Sequence, residues 1–257
     1  MKAKNNTNKT MKLKRILPKK SGRSGGRVTV RHQGSREKRF LRLIDFKRDK
    51  KDVWGVVESI EYDPNRNARI ARVLYEDGER RYILSPVDLK VGAKVIASDA
   101  APTEAGNALP LKAIPVGTPI HNIEITPGKG GQMVKGAGSV AIVFGKDEKW
   151  VLIKLPSGEI RRFVPECIAE IGQVGNMEAK NEVMGKAGRV RHMGIRPSVR
   201  GVAMNPHAHP HGGGEGRSSV GMKYPKTFYG RKAVGKTRSK KKYSDRLIVQ
   251  KRGGKSI

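Results

Sequence analysis

The sequence predicts a mainly β protein: two small β-barrels in tandem, with extended basic arms at both ends. Three observations carry that expectation. Lys and Arg stand at 18 against 3 Asp and Glu over residues 1–50, at 17 against 18 over 51–185, and at 19 against 2 over 186–257. The net charges of +15, −1 and +17 make up the total of +31 and leave a neutral body between two cationic segments that cannot collapse on themselves without a polyanion. Within the body, short runs of β-branched and aromatic residues recur roughly every 8–12 positions between turn signals, and helical periodicity is nearly absent. Between residues 98 and 110 the chain turns to Ala, Pro, Thr, Glu, Gly and Asn without β alternation, which places a boundary there.

The elements follow in order. Residues 1–36 read as a basic extension and 37–108 as the first barrel. Its clearest feature is a hairpin over 70–75 and 80–84 that turns at Glu76, Asp77, Gly78 and Glu79, because Asp-Gly supplies the positive φ angles of a tight turn. Ala71, Val73 and Tyr75 then share a face. Further strands are expected at 53–62 and 89–96.

The second barrel, 109–185, is expected to hold strands at 118–126, 139–144, 150–155, 160–164 and 167–171, with turns at Gly145, Lys146, Asp147, Glu148 and at Pro156, Ser157, Gly158. Val151, Ile153 and Leu155 point to one side. Residues 186–257 read as an extended basic arm in which 12 of 72 residues are glycine, suiting a backbone that passes close to another surface. Tyr224, Phe228, Tyr229, Leu247, Ile248 and Val249 punctuate it, which a plain linker would not require.

Composition excludes several classes of function. The lone cysteine, Cys167, rules out an intramolecular disulfide and any zinc site built on several cysteines, and it fits the reducing cytosol. There is no run of about 18 apolar residues to span a bilayer, no apolar stretch of a secretory signal at the start, and no apolar face on either arm for a membrane surface. Pro127, Gly128, Lys129, Gly130, Gly131 and Gln132 imitate a phosphate loop, yet Ala137 and Gly138 stand where Lys and Ser or Thr would be needed. Neither paired catalytic carboxylates nor a Ser/His/Asp set is apparent. No enzyme activity, cofactor or small-molecule substrate is expected. Nucleic acid is the expected partner, and with aromatics at 5% phosphate neutralisation should dominate over base stacking.

The densest constellation is Gly201, Val202, Ala203, Met204, Asn205, Pro206, His207, Ala208, His209, Pro210, His211, Gly212, Gly213, Gly214, Glu215, Gly216 and Arg217. On an extended chain the three alternating histidines lie on one side, which invites a zinc reading. Glu215 is the only nearby carboxylate, so no metal is expected, and the imidazoles are read as stacking on bases or donating to phosphate.

With Gly185, Lys186, Ala187, Gly188, Arg189 and Gly194, Ile195, Arg196, Pro197 ahead of it, this run closely resembles the large-subunit ribosomal protein L2 family (uL2). The resemblance extends over 39–48, 61–66, 77–84, 106–110, 121–124, 127–132 and from 237 onward. It implies an OB-fold followed by an SH3-like barrel, with a C-terminal arm running into large-subunit rRNA toward the peptidyl-transferase region. It further implies a structural role in the ribosome, tRNA binding and subunit association, with 23S-type rRNA, other large-subunit proteins and small-subunit rRNA as partners; a cytoplasmic ribosome is the expectation, with an organellar one as the open alternative.

The rRNA-binding residues implied are Arg66, Lys135, Arg189, Arg191, Arg196, Arg200, Asn205, His207, His209, His211, Arg217, Lys236 and Arg238. Lys135 stands where the family usually has arginine, keeping the charge but losing the bidentate fork. His209 matches a histidine proposed in the family to assist peptide-bond formation. Ala208 replaces the aspartate common before it, so no adjacent carboxylate orients the ring, and an RNA-contact or scaffold role is expected instead. His192 replaces a common tryptophan.

Overall fold

The structure is a computed structural model that describes residues 13–18, 21–235, 239 and 242–253. Its strands are β1 (Lys14–Ile16), β2 (Arg23–Ser24), β3 (Arg27–Val28), β4 (Phe40–Arg42), β5 (Gly55–Glu61), β6 (Ile70–Tyr75), β7 (Arg80–Leu84), β8 (Lys94–Val95), β9 (Ala108–Pro110), β10 (Pro119–His121), β11 (Ala141–Lys146), β12 (Val151–Lys154), β13 (Ile160–Phe163), β14 (Ile168–Ile171) and β15 (Ile248–Gln250). Among the described residues one short α-helix, α1, spans Ala187–His192, and single 3-10 turns lie at Met177–Asn181, Gly201–Ala203 and Tyr243–Leu247. Two compact units separate: one drawn from Met1–Leu17, Lys38–Val183 and Ser244–Ile257, the other from Pro18–Glu37 and Met184–Tyr243.

The first unit is mainly β. Its first sheet has the order β7-β6-β5-β8, and the alternation along β6 and β7 buries Ala71, Val73, Tyr75 and Ile83 with Val57, Leu89 and Val95. The predicted hairpin forms with the expected ends, turning on Gly78 at φ 79°. Gly55 is required by packing, because a Cβ there would stand 2.4 Å from Val73 Cγ1. A bulge between Val57 and Ser59 bends β5 across the core. The strand expected over 89–96 shrinks to β8, since Gly92 at φ 88° makes a turn in its middle.

The second sheet has the order β15-β13-β12-β11-β10-β14-β9 and closes over a core that includes Ile120, Val143, Val151, Ile153, Phe163 and Ile171. Three expectations change here. The strand foreseen over 118–126 ends at His121, because Asn122 takes a left-handed φ of 48°. Gly145 and Lys146, read as turn residues, continue β11 through a bulge between Val143 and Gly145. Ala108 to Pro110, read as part of a structureless break, is the buried strand β9 paired with β14. Three residues are too few for alternation to register, and Pro110 is tolerated because β9 lies at the edge of the sheet.

The two sheets meet through a buried polar network. Arg48 donates to Glu170 Oε1 at 3.3 Å and to the carbonyl of Gly106 at 3.2 Å, while Asn122 Nδ2 donates to the same Glu170 oxygen at 3.0 Å. His121 lies with Nε2 3.1 Å from Glu170 Oε2 and Nδ1 2.9 Å from Gly172 O. Arg48 and Glu170 are each 1% exposed. Burial pushes the Glu170 carboxyl up, but Arg48, His121 and Asn122 outweigh it and hold the pKa below the ordinary 4.5.

The second unit is built differently. Residues 32–37 run antiparallel to 192–196 through Gly34 N–H to Gly194 O at 2.7 Å, Glu37 N–H to His192 O at 3.0 Å and Arg196 N–H to His32 O at 2.9 Å. Among its described residues no large apolar side chain is buried. Backbone hydrogen bonds and ring contacts hold it in place of a core. From the C-terminal segment read as arm, β15 instead joins the first unit, pairing with β13 and burying Ile248.

Candidate nucleic-acid interface

In the first unit, two of the predicted cations converge on one ring. The guanidinium of Arg66 lies 5.6 Å from the centroid of Phe46 and Lys135 Nζ lies 4.2 Å from it. Each is positioned by a local device. Asp63, fully buried at the head of the Asp-Pro-Asn-Arg turn, accepts Asn65 N–H at 3.0 Å and Arg66 Nε at 2.7 Å. That contact holds the Nε edge of Arg66 and leaves its terminal amino groups without a protein acceptor among the described residues.

Lys135 is placed by the glycine-rich loop. The buried carboxylate of Glu124 accepts N–H groups from Gly130 at 2.7 Å, Ile168 at 3.0 Å and Gly128 at 3.3 Å, pinning both sides of the loop. Gly131 N–H then bonds Phe46 O at 2.7 Å. Gly131 must be glycine, because a Cβ would fall 2.0 Å from Asn122 Oδ1. Lys135 Nζ donates to Gly131 O at 3.0 Å over the Phe46 face. Burial first, and the charge of Arg66 second, lower the Lys135 pKa below 10.5. Two cations held close against a ring repel each other, and an anion between them relieves that repulsion.

In the second unit, α1 carries Arg189 exposed and Arg191 half-buried. The Gly34 backbone accommodates both Arg191 and the stem of Arg196, since a Cβ on Gly34 would lie 2.8 Å from Arg191 Nη1 and 3.1 Å from Arg196 Cγ. Arg200, Asn205, His207 and Arg217 are exposed. Lys236 and Arg238 lie outside the described residues.

The histidine run is not extended. Asn205 O accepts the N–H groups of Ala208 at 2.9 Å and His209 at 3.3 Å, and this turn separates His207 from the other two. His209 and His211 meet, their ring centroids 4.7 Å apart. His209 Nδ1 accepts the His211 N–H at 3.0 Å, and His211 Nε2 accepts the Lys226 N–H at 2.8 Å. Those bonds occupy a lone pair on each ring, and among the described residues no group of three His, Cys, Asp or Glu side chains could hold a metal ion. Gly201 lies under the His209 ring, where a Cβ would be 2.5 Å from Cε1. Desolvation, then the neighbouring His211 and Arg31, lower the His209 pKa.

Residues 10–97 match the family described as Ribosomal Proteins L2, RNA binding N-terminal domain, and residues 104–230 match Ribosomal Proteins L2, C-terminal domain. The chain belongs to the ribosomal protein L2 family. It is a structural, RNA-binding constituent of the ribosome, and ribosomal RNA is its partner.

Several residues that build this candidate interface are silent in the sequence. Phe46 is one of two phenylalanines, with Phe40, in a basic stretch, and nothing local marks it as a shared platform. Glu124 is separated from its amide partners by a loop and, for Ile168, by 44 positions. Asp63 did carry a signal, because Asp followed by Pro-Asn is the composition of a side-chain-capped turn.

Proposed function

We propose that this chain binds 23S-type rRNA directly as a primary protein of the large subunit of cytoplasmic ribosomes. The convergence of Arg66 and Lys135 on Phe46 carries the reading. One cation comes from the turn after β5 and the other from the glycine loop before β11, so a phosphate seated between them engages both barrels at once. In this division of labour, 37–108 and 109–185, with β15 added to the second sheet, grip folded RNA, 1–36 supplies a further basic extension, and 186–243 follows the RNA toward the peptidyl-transferase region. There the chain supports tRNA binding and subunit association beside small-subunit rRNA and other large-subunit proteins. Arg189, Arg191, Arg196, Arg200, Arg217, Lys236 and Arg238 supply phosphate contacts, and Asn205, His207, His209 and His211 line the RNA.

His209 serves as scaffold. Its Nδ1 lone pair is engaged by the His211 amide, so in the neutral ring the proton sits on Nε2 and no lone pair is free to act as a base. Sucrose-gradient sedimentation tests the main reading: the chain should co-sediment stoichiometrically with large subunits. Binding of the purified chain to rRNA should weaken steeply with salt, and Arg66→Gln should reduce the slope of log K against log[salt] by about 0.7–0.9. A chain that stays off particles, or binding indifferent to salt, overturns it.

A further inference from the structure

We propose that Tyr229 is a stacking platform for one unstacked nucleobase of the bound RNA. The proposal rests on RNA binding and names a contact within it. Residues 225–233 form a tight hairpin: Lys226 bridges Lys232, Ala233 N–H bonds Pro225 O at 2.9 Å, and Gly230 N–H bonds Thr227 O at 2.9 Å. Gly230 at φ 77° closes the turn, which puts Phe228 and Tyr229 at its tip.

The two rings have different surroundings. Phe228 is held from several sides: the Arg31 guanidinium lies 4.7 Å from its centroid, His209 lies 6.4 Å away, and Tyr229 meets it at 5.3 Å with the planes at 90°. Tyr229 uses that one edge contact and is otherwise 81% exposed. An exposed tyrosine alone on a tip would be unremarkable, but this ring rests edge-on against Phe228, which is 43% exposed and is itself contacted by Arg31 and His209. A rigid aromatic surface loses little conformational freedom when a planar ligand settles on it.

Charge selects the ligand. Residues 216–244 contain ten Lys or Arg and no Asp or Glu, and Lys226, Arg231 and Lys232 flank the tip. Phe228, Tyr224 and Val234 are exposed in the same segment, but the cations interleaved with them set the hairpin apart from an apolar docking surface or a lipid-facing one. An exposed ring at the tip of a hairpin whose strands carry cations matches a base carried on a phosphate backbone, where stacking and phosphate contacts act together. Phe228 also joins this ring to His209, so a base seated on Tyr229 would brace the histidine loop.

The test uses the full-length protein and rRNA extracted from purified large subunits, titrated over a range of salt concentrations. Tyr229→Ala should weaken binding by about 5- to 150-fold, the range for loss of one base–aromatic stack, while the salt slope stays at the wild-type value because no phosphate contact is removed. Tyr229→Trp should bind at least as well as wild type, and Tyr229→Leu should resemble Ala. Equal affinity of Tyr229→Ala and wild type overturns the stack and leaves the rRNA reading standing. Full retention by Tyr229→Leu overturns it too, showing an apolar contact rather than a π surface. Wild-type protein without salt-dependent rRNA binding defeats both.

Discussion

Replacing Glu170 with Gln removes the one negative charge from the network that joins the two barrels and changes almost nothing in shape. Arg48, 1% exposed, would keep its charge with carbonyl and amide partners only. Removing one partner of a buried ion pair costs about 3–5 kcal/mol, chiefly because the survivor is left uncompensated. Gln creates no cavity and can still accept from Asn122, so we expect the low end, about 3 kcal/mol. For a body of this size that corresponds to a fall in Tm of about 6–12 °C.

The assay is urea unfolding of the purified protein, with Arg48→Met and the double variant completing a cycle. Removing Arg48 as well takes away the stranded charge, so the double variant should be more stable than Glu170→Gln alone. The pH dependence has a definite sign. Because the folded pKa of Glu170 lies below its ordinary 4.5, its contribution is fully present above that value and is lost as pH falls through the folded pKa. Glu170→Gln should therefore flatten the acid limb of the stability curve. A loss below about 1 kcal/mol, or single-variant losses that simply add, would refute the claim that this charge pair locks the barrels.

Two further outcomes follow from the interface. Lys135 titrates below 10.5, so rRNA affinity should fall as pH rises through its lowered pKa, and Lys135→Arg should remove that fall; identical alkaline profiles for both proteins would show that Lys135 does not meet phosphate. In assembled particles, His209→Ala should leave the rate of peptidyl transfer within a few-fold of wild type. A loss of several orders of magnitude in the pre-steady-state rate of peptide-bond formation, with assembly intact, would show that the imidazole takes part in the chemistry.

Much of the fold was legible because β alternation is a local code. Ala71, Val73 and Tyr75, and equally Val151, Ile153 and Leu155, recur at every second position, and each set lies buried on one face. The hairpin at Gly78 was legible for the same reason. Where the local signal was short or ambiguous, prediction failed. Ala108 to Pro110 carried too few residues to show alternation, and Asn122 gave no warning that it would end β10 in a left-handed conformation. The histidine loop failed differently: alternation assumed an extended backbone, and the chain turns there instead, with the Asn205 carbonyl accepting the Ala208 and His209 N–H groups.

By itself, then, the sequence determined the charge partition, the mainly β architecture and the ribosomal family, since each is written in composition, periodicity or contiguous motifs. Only the tertiary structure decided that Arg66 and Lys135 share Phe46, that Glu124 holds the glycine loop, that Arg48 and Glu170 meet across 122 positions, and that Phe228 steadies Tyr229. These are juxtapositions of residues distant along the chain. A one-dimensional pattern cannot encode them, because they depend on how the packed sheets bring remote loops together and on which buried charges find partners there.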